Sequence, residues 1–322
     1  DSMDTSLLDP PAVTGSVTGS PWPAPDPAAR RRAPRTRRTV VLTIAATLAA
    51  VASIAVGNSA VGAIAVLFVI SWPLERIWRR HPVGVRRLAL RTDLAYAVAS
   101  PALQFVGRVA ALALGAASLA WLPGLALRPV VGLLPGWVRT TAGILLFDLL
   151  VYWTHRWSHT IPLFWRFHAI HHSTRHLDWV SGFRAHPLDG AFIAPAFAFV
   201  LAAGFDPEIT GALAVLQFVV GIWAHLNVRW RLRKLRFLVL TPDFHHWHHA
   251  NEPEAINTNF STLLPVWDLL FGTFRMPDGP GPQRYGVDEA VPSSIGAQLL
   301  YPFRRRGRRA ARRGVHADAA TD

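Results

Sequence analysis

Three short runs of histidine carry the chemistry open to this sequence: His155-Arg-Trp-Ser-His159, His168-Ala-Ile-His171-His172 and His245-His246-Trp-His248-His249. On a helix, residues three and four apart project from one side with Cβ atoms ~5–6 Å apart, so each run can aim two or three imidazoles at one point. Imidazole is a good donor to Fe, Zn, Cu and Ni. Arg156, not Glu, follows the first histidine, which argues against a zinc protease of the HExxH kind. Eight donors are well spaced: His155, His159, His168, His171, His172, His245, His248 and His249. That is too many for one ion of four to six ligands and about right for two. A lone HxxxH is weak evidence, and a histidine-rich stretch is otherwise a solvated loop, an accidental chelator or a pH-sensitive surface. Three spaced runs in one chain argue against that alternative.

The elements that must position these runs are apolar. Of 322 residues, 51% are hydrophobic and 16% charged, against roughly 25% charged in a soluble domain. The apolar residues lie in blocks near spanning length, which reads as an integral membrane protein. The absence of cysteine excludes disulfides, thiolate nucleophiles, iron–sulfur clusters and cysteine-ligated zinc or haem. The net charge of +13 equals the arginines at 30, 31, 32, 35, 37 and 38 together with those at 304, 305, 306, 308, 309, 312 and 313. Both clusters lie in tails, where beside apolar spans they face anionic lipid and fix topology, so nucleic acid is not an expected partner.

Along the chain, 1–38 is rich in Pro, Ala, Ser and Thr without apolar period and reads as a disordered basic tail, with Met3 the expected native start. Asn58 and Ser59 split the next block into 39–57 and 60–76, each near the ~17-residue lower limit for a span, and a membrane hairpin is expected. Further spans are expected at 93–122, 138–158, 188–204 and 208–227. The first of these contains Pro101 and Arg108 and reads either as one span or as two shorter segments, one in the interface. Connections placed inside hold Arg79, Arg80, Arg86, Arg87 and Arg91, then Arg166, Arg175 and Arg184, then Arg229, Arg231, Arg233, Lys234 and Arg236. Those placed outside, 123–137 and 204–208, hold only Arg128. Six crossings with both termini cytoplasmic satisfy this distribution. All fourteen histidines then fall on the cytoplasmic side.

With its surroundings, the histidine pattern resembles the fatty acid hydroxylase superfamily, also called the sterol desaturase family, of membrane non-haem di-iron oxygenases. The likeness covers roughly 140–275 and rests on HxxxH, HxxHH and HxxHH in order, with Asp148-Leu-Leu-Val-Tyr-Trp-Thr-His155-Arg156, Phe-Arg184-Ala-His186-Pro187, Pro242-Asp-Phe-His-His-Trp-His-His, Asn259-Phe260, Trp267-Asp268 and Phe271-Gly272-Thr273. The resemblance implies that the eight histidines are catalytic ligands of two iron ions, with zinc able to replace iron in isolated protein and O₂ as co-substrate. His225 stands where members often have a further ligand. A second histidine found four residues later in some members is Arg229 here. His186 is expected beside the ligands rather than among them, while His246 is offset from the spacing and expected to point away. His81, His176 and His316 carry no motif. Asp148 is expected either to orient a histidine from another segment or to make a buried polar contact between helices, Asn259 and Asp268 to accept ring N–H bonds, or Asp268 to cap a local turn. Trp157, Trp165 and Trp247 are expected as interfacial anchors, ahead of shaping a substrate tunnel.

The expected fold class is therefore all-α: an integral membrane helical bundle with a cytoplasmic His-rich di-metal cap. Its parts are a tail at 1–38, transmembrane helices at 39–137, a hydroxylase-like catalytic domain at 138–275 and a basic C-terminal tail at 276–322. The expected reaction is O₂-dependent hydroxylation or desaturation of a membrane lipid, sterol-like, fatty acyl or related. Such C–H chemistry is beyond protein acids and bases. The sequence has no recognisable haem- or flavin-binding segment, so a ferredoxin or other external reductase is expected as electron donor. The alternative is a membrane metal-binding protein or metal transporter, which should place ionisable groups along its spans.

Overall fold

The computed structural model describes residues 59–81, 89–232, 234–279 and 281–304. The expected span 39–57 and the tail 1–38 lie outside these, as do the arginines beyond Arg304. The described residues are helical, with no strand and two isolated antiparallel bridges, Arg79 to Val228 and Ala250 to Tyr285.

Among the described residues the chain begins with α1 (Ser59–Ile77), α2 (Leu90–Ala117), α3 (Trp121–Gly132), α4 (Gly136–Thr160) and α5 (Pro162–His172). After a connection that includes 3₁₀ turns come α6 (Ala194–Ala202), α7 (Pro207–Ala224), α8 (Pro242–His248), α9 (Val266–Leu270) and α10 (Ile295–Leu300). Proline and short caps set the starts that matter for the site. Extended Ile161 and Pro162 at the first turn break α4 from α5 and fold one back on the other. Asp206 caps α7 by accepting from the Glu208 amide at 2.8 Å, and Thr241 caps α8 by accepting from Phe244 at 3.3 Å.

Of the two readings open for 93–122 the structure shows one long helix, and the loop expected after it needs correction. α2 runs unbroken through Pro101 and Arg108, and 121–132 is a helix rather than an outer loop. The break falls at Ser118, whose hydroxyl donates to Gly115 at 2.8 Å, and at Leu119 in the left-handed region. α3 forms because it has α6 to pack on: a Cβ at Gly124 would lie 2.5 Å from the Phe199 carbonyl oxygen, so only glycine lets the two backbones approach this closely. The expected span 188–204 is helical only over Gly190–Ala202, ended by Gly204 at φ +89°, and is short for a ~30 Å hydrocarbon core. Among the described helices, α2 and α7 are long and apolar enough to cross a membrane. α2 exposes Val98 at 79% and Leu112 at 77%, as a lipid-facing surface would.

The principal core joins α2, α5, the 177–183 connection and α7 through Tyr96, Ile170, Trp179, Phe183, Ile222 and Leu226. A second cluster, Phe147, Val151 and Leu213, fixes α4 to α7. Residues 281–304, within the expected basic tail, instead fold back on the histidine-bearing part: Tyr285 is buried and hydrogen-bonded to His246, and Gln298 is buried on α10.

Candidate metal centre

Helix geometry sorts the histidines into two groups. Successive residues of a helix point about 100° apart, whereas i and i+4 share a face. On α5, His168 and His172 therefore face one way and His171 another; on α8 and its cap, His245 and His249 pair and His248 diverges. His155, His159, His168, His172 and His248 converge in one group, and His171, His225, His245 and His249 in the other. Within each group the donor nitrogens all lie within 4.8 Å of one another. α4 contributes two rings to the first group, α5 two to the first and one to the second, α8 with its cap the reverse, and the end of α7 adds His225 to the second. The groups abut: the rings of His172 and His249 stack with centroids 4.1 Å apart.

The outer nitrogens are held by acceptors. Nδ1–H of His155 donates to the Phe260 carbonyl at 2.6 Å, His171 to Arg184 at 2.9 Å, His225 to Gly221 at 2.6 Å and His248 to Thr258 at 3.0 Å. His168 Nδ1 donates to the Asp189 carboxylate at 2.9 Å. Because these partners accept, the ring proton sits on Nδ1 and Nε2 is left as a bare lone pair facing inward. The Nε2 atoms of His155 and His168 then stand 3.2 Å apart with no proton to share. Nε2 of His159, His225 and His248 and Nδ1 of His245 and His249 are buried without a hydrogen-bond partner. Converging lone pairs in a dry site are costly by themselves and fit a cation between them. Burial first, then neighbouring imidazoles, holds His172, His245 and His249 well below the ordinary histidine pKa; His171 and His248 follow the same order. These rings are neutral, the form that ligates metal.

The supporting residues act through backbone and loop contacts rather than on the rings. Asp148 accepts from the Leu264 amide at 3.1 Å and from Trp267 Nε1 at 2.8 Å, so it anchors the 264–267 turn and orients no histidine. Asn259, at φ +58°, clamps the backbone of Arg275 on both sides, donating to its carbonyl and accepting from its amide, each at 2.7 Å. Asp268 accepts from the amides of Phe260 and Ser261 at 2.8 Å each and from the Thr273 hydroxyl at 2.6 Å. It thereby fixes the loop whose Thr258 and Phe260 carbonyls hold His248 and His155. His186 stands outside both groups, its Nε2 donating to Leu299 at 3.1 Å and its Nδ1 accepting from Leu188 at 3.1 Å. Trp157 is 45% exposed, but Trp247 is buried at 4% and is no interfacial anchor.

Two residues escaped sequence reasoning. Asp189, three residues after His186, orients His168; the string His-Pro-Leu-Asp carried the signal, but only a carboxylate within reach of a ring makes it readable. Tyr285 donates its hydroxyl to His246 Nδ1 at 2.8 Å, because His246 Nε2–H is committed to the Leu226 carbonyl at 3.0 Å, and accepts from His81 Nε2 at 3.0 Å. A cavity of about 310 Å³ reaches the first group, lined by His159, His172 and His248 with Trp165, Asn251 and Asn257.

Residues 140–273 match the family model described as fatty acid hydroxylase. An ornithine lipid hydroxylase of Rhizobium tropici is 33% identical over 174 residues, 53% of this chain and 52% of that protein. Alkylglycerol monooxygenases of Danio rerio and Homo sapiens are each 28% identical, over 39% and 43% of this chain and 28% and 30% of theirs. The chain thus spans about half the length, or less, of these curated relatives. No solved structure matches it. The nine imidazoles all lie within residues 140–273, the part of the chain that matches the fatty acid hydroxylase family model.

Proposed function

We propose that the protein is a membrane-embedded oxidoreductase that hydroxylates or desaturates a lipid with O₂ at two iron ions held by these nine histidines. The observation that carries the reading is the convergence of bare imidazole nitrogens into two abutting groups. Iron bound there would supply the activation of O₂ that an unactivated C–H bond requires. The chain's own residues hold ligand tautomers through Asp189 and the Phe260, Thr258, Arg184 and Gly221 carbonyls, and keep the site dry. His155, His159, His168, His172 and His248 would hold one ion; His171, His225, His245 and His249 the other. Lipid as substrate is supported by the names of the relatives, a lipid hydroxylase and alkylglycerol monooxygenases. The arginine distribution supports embedding through α2 and α7 together with α4 and the shorter α6, four crossings that, after the 39–76 hairpin, leave the histidine cap and both termini on the cytoplasmic side. Two electrons per turnover would come from a separate ferredoxin or reductase.

The test supplies iron-loaded full-length protein with a reductase system and membrane lipid extract, under ¹⁸O₂. A product heavier by one labelled oxygen, or lighter by two hydrogens, is expected. Oxygen entering only from water sinks the monooxygenase reading, and metal flux across proteoliposomes without lipid oxidation favours a transporter.

A further inference from the structure

Five cations stand in the eight residues from Arg229 to Arg236, and no acidic residue occurs between His225 and Pro242. This run begins five residues after α7 ends at Ala224. Arg229, Arg231 and Lys234 are exposed, and Arg236 is half-buried. Leu235 within the run is 46% exposed, and the three residues that follow the run are exposed too: Phe237 at 41%, Leu238 at 64% and Val239 at 45%. Water-exposed leucine and phenylalanine beside dense positive charge is the composition of a segment lying in a bilayer interface, with apolar tips below the headgroups and cations at phosphate level.

The surroundings continue that surface. Trp230 packs edge-on against Trp78 at 5.5 Å and lies 5.4 Å from Trp223, placing three indoles beside the cations. Ile77, at the end of α1, is 56% exposed. The bridge between Arg79 and Val228 ties the end of α1 to the start of the run. A cavity of about 240 Å³ is lined by Arg231 and Arg236 together with Asp243 and Asp278. Arg80 already pairs with Asp243, and Asp278 has a partner of its own, whereas Arg236 Nε is buried with no hydrogen-bond partner.

We infer that 229–239 is a binding surface for anionic phospholipid, with the lipid phosphate seated at Arg231 and Arg236 and Leu235, Phe237, Leu238 and Val239 dipped into the headgroup boundary. The inference rests on the membrane reading above. An acidic electron-carrier protein would also meet the cations, but the four exposed apolar side chains favour a bilayer over a hydrated protein face.

The native chain has no cysteine, so single labels report cleanly. Spin-labelled L238C and V98C full-length proteins, each in nanodiscs of phosphatidylcholine with or without phosphatidylglycerol, would be compared by oxygen and nickel accessibility. The label at 98, on the exposed face of α2, is expected in hydrocarbon in both membranes; water around it would overturn the membrane reading itself. The label at 238 is expected at the headgroup boundary with phosphatidylglycerol and shifted toward water without it. Adding R231Q and R236Q should abolish that shift while leaving the depth at 98 unchanged, which shows that the variant is folded. A label at 238 that stays in water in both membranes, or lies equally deep in both, overturns the anionic-lipid site alone. So does a label that is mobile in either membrane and immobilised only by an added acidic ferredoxin.

Discussion

Asp93 and Arg184 form a buried ion pair that joins the first turn of α2 to the histidine site. Arg184 Nε donates to the Asp93 carboxylate at 2.6 Å and a second guanidinium nitrogen reaches the same oxygen. The carbonyl of Arg184 accepts the Nδ1–H of His171 at 2.9 Å. Asp93 is fully buried and Arg184 2% exposed, so neither charge can fall back on water. A helix apolar enough to cross the membrane thereby positions a candidate ligand through one arginine's two ends.

Replacing Asp93 by Asn should strand the Arg184 charge and destabilise the fold by about 3–5 kcal/mol, the range for breaking a buried pair from one side. Because His171 loses its fixed carbonyl, metal retained by the second group should fall as well. Denaturant unfolding and metal analysis of the same sample check both; lower stability with full metal content would confine the pair to a structural role.

The division of histidines predicts separable losses. H248A removes a donor from the first group and H249A one from the second, although the residues are adjacent. Protein loaded anaerobically with iron should hold close to two ions per chain. H171A should lower that content and abolish activity, and H316A should change neither. Elemental analysis decides, and one ion or none in the native protein would refute the two-ion site.

Much of this site was legible in the sequence because histidine spacing and helix period are local. That His155 and His159 share a face, and His168 with His172, follows from i, i+4 geometry alone. That adjacent His171 and His172 point apart is equally local, but which histidines of α7 and α8 meet each of them is not, since that depends on the tertiary fold. The carbonyls of Thr258 and Phe260 were invisible for another reason: backbone acceptors carry no residue signature. Asp268 could be singled out from its motif, yet its function passes through amides of a loop whose course no local pattern dictates. Likewise Pro101 and Arg108 suggested a break in α2, yet the helix runs through both, and the Ala97 carbonyl that Pro101 cannot serve accepts the Ser100 hydroxyl at 2.9 Å.

Asp268 should therefore behave as a positioning residue for His155. D268N keeps the shape but removes charge from an acceptor of two amides and a hydroxyl, and bonds to charged groups contribute about 1.5–3 kcal/mol each. The expected result is a metal affinity lowered roughly 10–100-fold, the usual cost of losing support behind a ligand. D189N, which weakens the hold on His168, should do the same with less loss of fold stability. Competition with a chromophoric chelator measures both; unchanged affinity would show that the 258–261 loop needs no such tether.

The neutral histidines set a pH dependence whose sign can be worked out. Burial pushes His81 down to about 4, and His171, His172, His245, His246, His248 and His249 are also lowered, in each case chiefly by burial. In the unfolded chain these rings titrate near ~6.5, so below that pH the unfolded state binds more protons than the metal-free folded state. Stability is then full above pH ~6.5 and is lost as pH falls toward the depressed folded values, with each unit of difference worth about 1.4 kcal/mol per ring. Among the described residues, buried Asp268, whose pKa is raised, and one further buried carboxyl act in the opposite direction but are two groups against several. Metal-free protein should melt at a constant temperature above pH 7 and progressively lower below pH 6.5, with a slope exceeding one proton per molecule. Bound metal should shift the loss to lower pH, since the ion competes with protons for the same nitrogens. A melting temperature flat from pH 7.5 to 5 without metal would mean that the rings are charged or water-exposed in the folded chain, and the dry two-group site would fall with it.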